Sequence, residues 1–183
     1  MVKVVIVNGM PETGKTTAQE ICSTMLERLG WQCEIKSSVE WVKEIATFAG
    51  WNGVKDDKSR KFLSDLKALL TEWDDAVLKH LVYELDYYHY TSPNWIVFID
   101  IREPKEIERA KKLFNATTLI VRRPQVECNH YNNDSDMHVF DYEYDYTLWN
   151  ASDITSLNRE CDKYIQWLLS DNKVYKEEEI NNE

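Results

Sequence analysis

The residues whose types and spacing can do chemistry begin at position 9. Gly9-Met10-Pro11-Glu12-Thr13-Gly14-Lys15-Thr16 lies directly behind the apolar run Val4-Val5-Ile6-Val7 and ahead of a helix-forming segment. Glycines at both ends of such a loop let the backbone turn tightly, so that successive N–H groups converge on an anion held at the N-terminus of the next helix. Lys15 then reaches the outer phosphates of a nucleoside triphosphate, and the Thr16 hydroxyl is a hard oxygen ligand suited to Mg²⁺. Gly9, Pro11, Glu12, Thr13, Gly14, Lys15, Thr16 and Thr17 are the expected nucleotide-contacting residues. A plain surface turn would leave Lys15 and Thr16 unexplained. The one electrostatic oddity is Glu12, whose carboxylate must point away from a polyphosphate or meet metal-bound water.

A second set of polar groups follows other apolar runs. Trp95-Ile96-Val97-Phe98-Ile99 ends in Asp100, a carboxylate placed where it can support Mg²⁺ or its water shell, or else cap a helix. Arg102 follows two residues later, and Thr118-Leu119-Ile120-Val121 ends in Arg122 and Arg123. Guanidinium groups at that edge can bind phosphate bidentately and offset charge that develops during phosphoryl transfer. The alternative is a solvated basic pair. A phosphate acceptor is already anionic at neutral pH, so positioning and positive charge outweigh any general base. The sequence has no obvious catalytic His to set against that reading.

The elements that must position these groups are legible as alternating patterns. Val4–Val7, Trp95–Ile99 and Thr118–Val121 read as strands buried on both faces, with Gln32–Lys36 and Tyr144–Trp149 as weaker candidates. Between them the spacing predicts helices over Thr16–Leu29, Val39–Ala49, Asp57–Leu70, Glu72–Tyr87, Pro104–Phe114 and Asp153–Leu169. Gly30 stands where a helix C-cap ends, and Pro104 where a helix begins. The alternation predicts a doubly wound α/β domain with ligand at the carboxyl ends of the strands. Pro124–Tyr142 is rich in Asn, Asp, His and Tyr without apolar period, as in a lid. Asp171–Glu183 reads as a polar acidic tail.

With 183 residues, 43% hydrophobic and 30% charged, one globular domain is expected. The formal net charge of −10 disfavours a nucleic-acid partner, which would be held through many Lys and Arg. No apolar segment approaches the roughly 18–20 residues that span a bilayer, and Met1-Val2-Lys3-Val4 lacks signal-peptide features, so a cytoplasmic protein is expected. Cys22, Cys33, Cys128 and Cys161 are too scattered for a disulfide framework or a zinc knuckle. Cys128, His130 and His138, with Asp134 and Asp136, are better read as a polar loop than as a metal site. His80 and His89 fall among Leu and Tyr and read as structural or exposed.

Taken together, these features resemble the P-loop nucleoside and nucleotide kinases, in particular the branch with phage-type deoxynucleoside monophosphate kinases and animal-type phosphomevalonate kinases. The resemblance is carried by the phosphate loop, Ser38–Glu44, Lys55–Leu63, Asp100-Ile101-Arg102, and Asp141–Asn150 leading into the last helix. It implies a three-layer P-loop NTPase fold: a mainly parallel five-stranded sheet flanked by helices, with a helical acceptor-binding region over residues 38–90 and a lid over 122–142. It also implies transfer of the ATP γ-phosphoryl group to a nucleoside or deoxynucleoside monophosphate, or to another phosphorylated acceptor such as phosphomevalonate. Lys15, Thr16 and Asp100 would serve Mg²⁺ and ATP, and Lys43, Arg60 and Arg102, with Asp100, the acceptor. Arg122 and Arg123 would form the lid base, and Asn150 would lie where adenine is cradled. Two other readings compete. A regulatory GTPase should show Asp-x-x-Gly, where this chain has Asp100-Ile101-Arg102-Glu103, and Asn-Lys-x-Asp, where it has Asn150-Ala151-Ser152-Asp153. A non-catalytic nucleotide-binding module could use its many Trp and Tyr residues as interface anchors, and ATP consumption separates it from an enzyme.

Overall fold

The computed structural model describes residues 2–54, 56–91, 94–127 and 138–170, without the side chains of residues 89 and 91. Lys55, the His89 side chain, the centre of the expected lid with Cys128, His130, Asp134 and Asp136, and the acidic tail lie outside the described residues.

Five strands form one parallel sheet: β1 (Val2–Asn8), β2 (Gln32–Ser37), β3 (Trp95–Asp100), β4 (Thr117–Arg122) and β5 (Tyr146–Trp149), in the order β2-β3-β1-β4-β5. The helices among the described residues are α1 (Lys15–Arg28), α2 (Glu40–Phe48), α3 (Asp57–Asp74), α4 (Ala76–Thr91), α5 (Pro104–Phe114), α6 (Pro124–Glu127) and α7 (Ile154–Leu169). None is long and apolar enough to cross a membrane.

The apolar runs are nearly continuous because both sheet faces are covered. Along β1, Val5 and Val7 turn to a core shared with Ala18, Cys22 and Leu26 of α1 and Cys161, Tyr164 and Leu168 of α7. Val4 and Ile6 turn the other way, onto Leu78, Leu81 and Leu85 of α4 and Ile107 and Ala110 of α5. This is the two-residue side-chain alternation of a strand buried between helical layers. The result is the three-layer α/β arrangement that the alternation of patterns predicts. Parallel pairing puts the carboxyl ends of β1, β3 and β4 at one edge, with Val7 opposite Asp100 and Asn8 opposite Ile120.

Two helix boundaries differ from the sequence expectation. The spacing predicts one helix ending at Leu70 and the next starting at Glu72, but α3 extends to Asp74 and breaks at Asp75, which adopts a left-handed conformation (φ 49°). Asp tolerates that region better than most residues, and the break lets α4 start immediately. Pro124 also opens a short helix within a stretch expected to be irregular, as its fixed φ favours a first helical turn.

The edge strand β5 is held by a polar clasp. Asp145 Oδ2 accepts hydrogen bonds from Thr118 N at 2.8 Å and Thr118 Oγ1 at 2.9 Å, while Asp145 N donates to Thr118 Oγ1 at 2.9 Å. Thr118 is 1% exposed, so losing the carboxylate would strand a buried amide. Asp145→Ala is therefore expected to cost about 2 kcal/mol of stability, measured as a lowered urea midpoint with an unchanged slope.

Candidate active site

The loop between β1 and α1 has the shape of an anion cradle. Gly9 (φ 157°) and Gly14 (φ 83°) cannot be replaced without collision. A Cβ on Gly9 would lie 2.7 Å from Val121 O, and one on Gly14 would lie 2.5 Å from Asn150 Nδ2. Between them Glu12 is exposed at φ 63°, so its side chain leaves the loop outward. Gly14 caps α1 with no side-chain hydrogen bond, and the first turn holds no acidic residue. By contrast, Asp56 caps α3 through Ser59 N, and Asp153 caps α7 through Ser156 N. Gly14 thus gives α1 no side-chain cap at its positive end.

One residue not anticipated from the sequence holds this loop to its surroundings. Asn8 is fully buried: its Oδ1 accepts from Gly9 N at 2.8 Å, and its Nδ2 donates to Arg102 O at 3.0 Å and Tyr144 Oη at 2.7 Å. Tyr144 in turn donates to Val139 O at 2.9 Å. The available signal was an amide ending an apolar strand immediately before the loop glycine. On the other side, Asn150 Nδ2 donates to Thr13 O at 2.9 Å and Asn150 N to Arg122 O at 2.7 Å. Asn150 therefore ties the end of β5 to both the loop and β4.

Lys15 Nζ lies 3.6 Å from Asp100 Oδ2, joining the start of α1 to the end of β3. Gln19, also buried, donates from Nε2 to Asp100 Oδ1 at 2.9 Å and orients the carboxylate. Asp100 does not cap α5, whose N-cap is Glu103. Among the described residues no cluster of three or more His, Cys, Asp or Glu could enclose a metal. The hydroxyl of Thr16 and the partly exposed carboxylate of Asp100 are hard-oxygen donors of the kind that would suit Mg²⁺. The residues present fit Mg²⁺ and a triphosphate.

The two adjacent arginines have different surroundings. Arg122 pairs with Glu127 through Nε at 3.1 Å and Nη2 at 2.6 Å, and its guanidinium lies 4.7 Å from the ring centres of both Phe140 and Trp149. Trp149 is its neighbour in the β4–β5 register. Arg123 crosses to the phosphate loop, where its Nη1 approaches Glu12 O at 3.4 Å.

Beside Asp100, a cleft of about 780 Å³ opens between the end of β2 and α2. Lys36, Ser37, Glu40, Lys43, Glu44 and Phe48 line it. The structure thus brings Lys43 and Asp100 to one cavity. Arg60 is not part of its lining: it sits in the first turn of α3, paired with Asp57 at 3.3 Å in solvent. Arg102 follows β3, half-buried, with its carbonyl held by Asn8.

At the same edge a buried ion cluster escaped sequence reading. Lys67 Nζ on α3 lies 2.8 Å from Glu103 Oε2, 2.6 Å from Glu106 Oε2 and 3.3 Å from Ser38 Oγ. Burial pushes the Glu106 carboxyl up to about 7, against the pull of Lys67 and with the push of Glu103. Burial also raises Glu103, but the neighbouring Glu106 and the Lys67 charge win and hold it down at about 2. One ammonium facing two carboxylates thus keeps the more exposed one ionised and the more buried one close to neutral.

Glu106 keeps its proton where the unfolded chain has already lost it, above the ordinary 4.5. Its contribution to stability is complete below pH 4.5 and is lost as the pH rises through about 7. Glu103 acts oppositely, with its contribution lost as the pH falls from 4.5 towards about 2. Glu106→Gln should flatten the decline in stability as the pH rises from 4.5 through about 7, measured by urea unfolding across that range.

No family model matches the chain, and no curated protein sequence does so. Solved structures share its fold. The thymidylate kinase of Ehrlichia chaffeensis superposes with a TM-score of 0.50 at 12% identity, over 91% of this chain and 98% of that one. The shikimate kinase of Aquifex aeolicus superposes with a TM-score of 0.50 at 12% identity, over 90% and 97%. The five-stranded parallel sheet flanked by helices is therefore a fold that this chain shares with these two kinases.

Proposed function

We propose that this chain is a Mg²⁺- and ATP-dependent small-molecule kinase, and that its acceptor is a nucleoside or deoxynucleoside monophosphate. The observation that carries the reading is the convergence of the glycine-bounded loop at the start of α1, the Lys15–Asp100 pair at 3.6 Å and the guanidinium-bearing end of β4 at one sheet edge. The two structural neighbours are, by name, kinases of thymidylate and of shikimate, so the shared fold is compatible with more than one acceptor. Thymidylate is itself a nucleoside monophosphate, and the cleft beside Asp100 offers Lys43 to an acceptor phosphate.

In this reading the loop amides and the Lys15 ammonium bind the β- and γ-phosphates and neutralise charge that grows on the β–γ bridging oxygen as its bond to the γ-phosphorus breaks. Thr16 and Asp100 would hold Mg²⁺, and the ion would supply further charge neutralisation. An anionic oxygen of the acceptor forms the new bond to phosphorus, so Asp100 need not remove a proton. Arg102 positions the acceptor from the β3 side. Arg123, lying across the loop, is the lid arginine closer to the transferred group, whereas Arg122 braces the lid base against Glu127, Phe140 and Trp149.

The test is ATP turnover with Mg²⁺ against a panel of nucleoside and deoxynucleoside monophosphates and phosphomevalonate. Lys15→Ala should abolish acceptor-stimulated turnover with the unfolding transition unchanged. Normal turnover in a folded Lys15→Ala protein would remove the mechanism, and ATP binding without turnover would favour a binding module. Arg123→Ala should lower kcat by about 10²–10³-fold, while Arg122→Ala should lower thermal stability more than it lowers kcat.

A further inference from the structure

We propose that Lys67, acting through Glu103, is a positioning residue for Arg102, tying the peripheral helix α3 to the peptide that presents this guanidinium. The inference rests on the kinase reading for its catalytic consequence, but the tether itself is a property of the fold.

None of the 18 residues of α3 is fully buried, so its apolar attachment to the domain is weak. Yet the Lys67 side chain is only 12% exposed and is enclosed by two carboxylates and a hydroxyl from other elements. An ammonium is costly to desolvate, and its burial on an otherwise peripheral helix makes geometry its evident contribution. Its partners are placed to carry that geometry to the site. Glu103 directly follows Arg102 and caps α5, and Glu106 lies in the first turn of α5. Ser38, the third partner, donates its N–H to Asp100 O at 3.1 Å.

The peptide carrying Arg102 is consequently held from both sides. Ile101 N donates to Val7 O at 3.2 Å and Asn8 Nδ2 donates to Arg102 O, which fixes it to the strand before the phosphate loop. Lys67 fixes the next residue to α3. Without that second tether, the Arg102 peptide stays attached to β1 but loses its hold on α3. Phosphoryl transfer depends on such alignment, because a displacement of about 1 Å in a positioned group can cost on the order of 10²-fold in rate.

A double-mutant cycle of Glu103→Ala and Arg102→Ala tests the proposal, with amide hydrogen exchange of residues 57–74 and 101–103 recorded on the same proteins. Glu103 is partly exposed, and its removal leaves the Lys67–Glu106 pair in place, so this variant should fold where Lys67→Met alone could strand two carboxylates. Glu103→Ala should reduce acceptor-stimulated turnover by about 10–100-fold and leave affinity for a non-hydrolysable ATP analogue unchanged. It should also accelerate exchange in both segments. In the Arg102→Ala background the same change should have almost no further effect on turnover, since its action passes through Arg102. Glu106→Gln, which keeps the Lys67–Glu103 contact, should leave turnover unchanged. Multiplicative losses in the cycle, or unaltered exchange at 101–103, would overturn the proposal. A parent protein without acceptor-stimulated turnover would sink the kinase reading, and the exchange data would still decide whether the tether exists.

Discussion

The site depends on the hydrogen bonding of one buried amide, Asn8. A side-chain amide at 0% exposure is tolerated only if its donors and acceptor are used, and here both ends are engaged within 3.0 Å. Its oxygen orients the first N–H of the phosphate loop, and its nitrogen fixes the Arg102 peptide and the Tyr144 hydroxyl. Two segments far from β1 in sequence, at Arg102 and Tyr144, are thereby held to its end beside the loop. The adjoining Lys15–Asp100 pair and the Asp100–Gln19 bond then place the charged groups relative to that frame.

Around this frame the charges are arranged asymmetrically. On the side of the phosphate loop, Gly9 and Gly14 allow backbone and side-chain groups from β4 and Asn150 to approach closely. Around the far end of β3 and the cleft, charge is instead stored in ion pairs: Lys67 with Glu103 and Glu106, and Lys36 with Glu84 at 2.9 Å. Lys36 lines the cleft while its partner stands on α4, so the cleft wall is also tied to the helical region. The aromatic stack of Trp41 on His80, 4.5 Å apart, joins α2 to α4 in the same region and gives His80 a packing role.

The sheet was legible because its signals are local. Val4–Val7, Trp95–Ile99 and Thr118–Val121 are continuous apolar runs, and even the weaker Gln32–Lys36 and Tyr144–Trp149 patterns fall on strands. The phosphate loop was legible for the same reason, since its glycines, Lys15 and Thr16 are contiguous. Contacts across long sequence separations were not. Asn8 with Tyr144, Gln19 with Asp100, and Lys67 with Glu103 each require knowing which strands are neighbours and in what register. Arg122 and Arg123 were indistinguishable in sequence. Their separate surroundings follow from the pairing of Arg122 with Trp149 and from the acidic Glu127 one helical turn ahead.

The most direct test of the account is a ³¹P NMR time course of the protein with Mg²⁺, ATP and each nucleoside monophosphate in turn. The account expects the γ-phosphate resonance to decline in step with the appearance of a diphosphate on one acceptor, with ADP as co-product. Decline of the γ resonance into inorganic phosphate regardless of acceptor, or no decline in protein that demonstrably binds ATP, would contradict it.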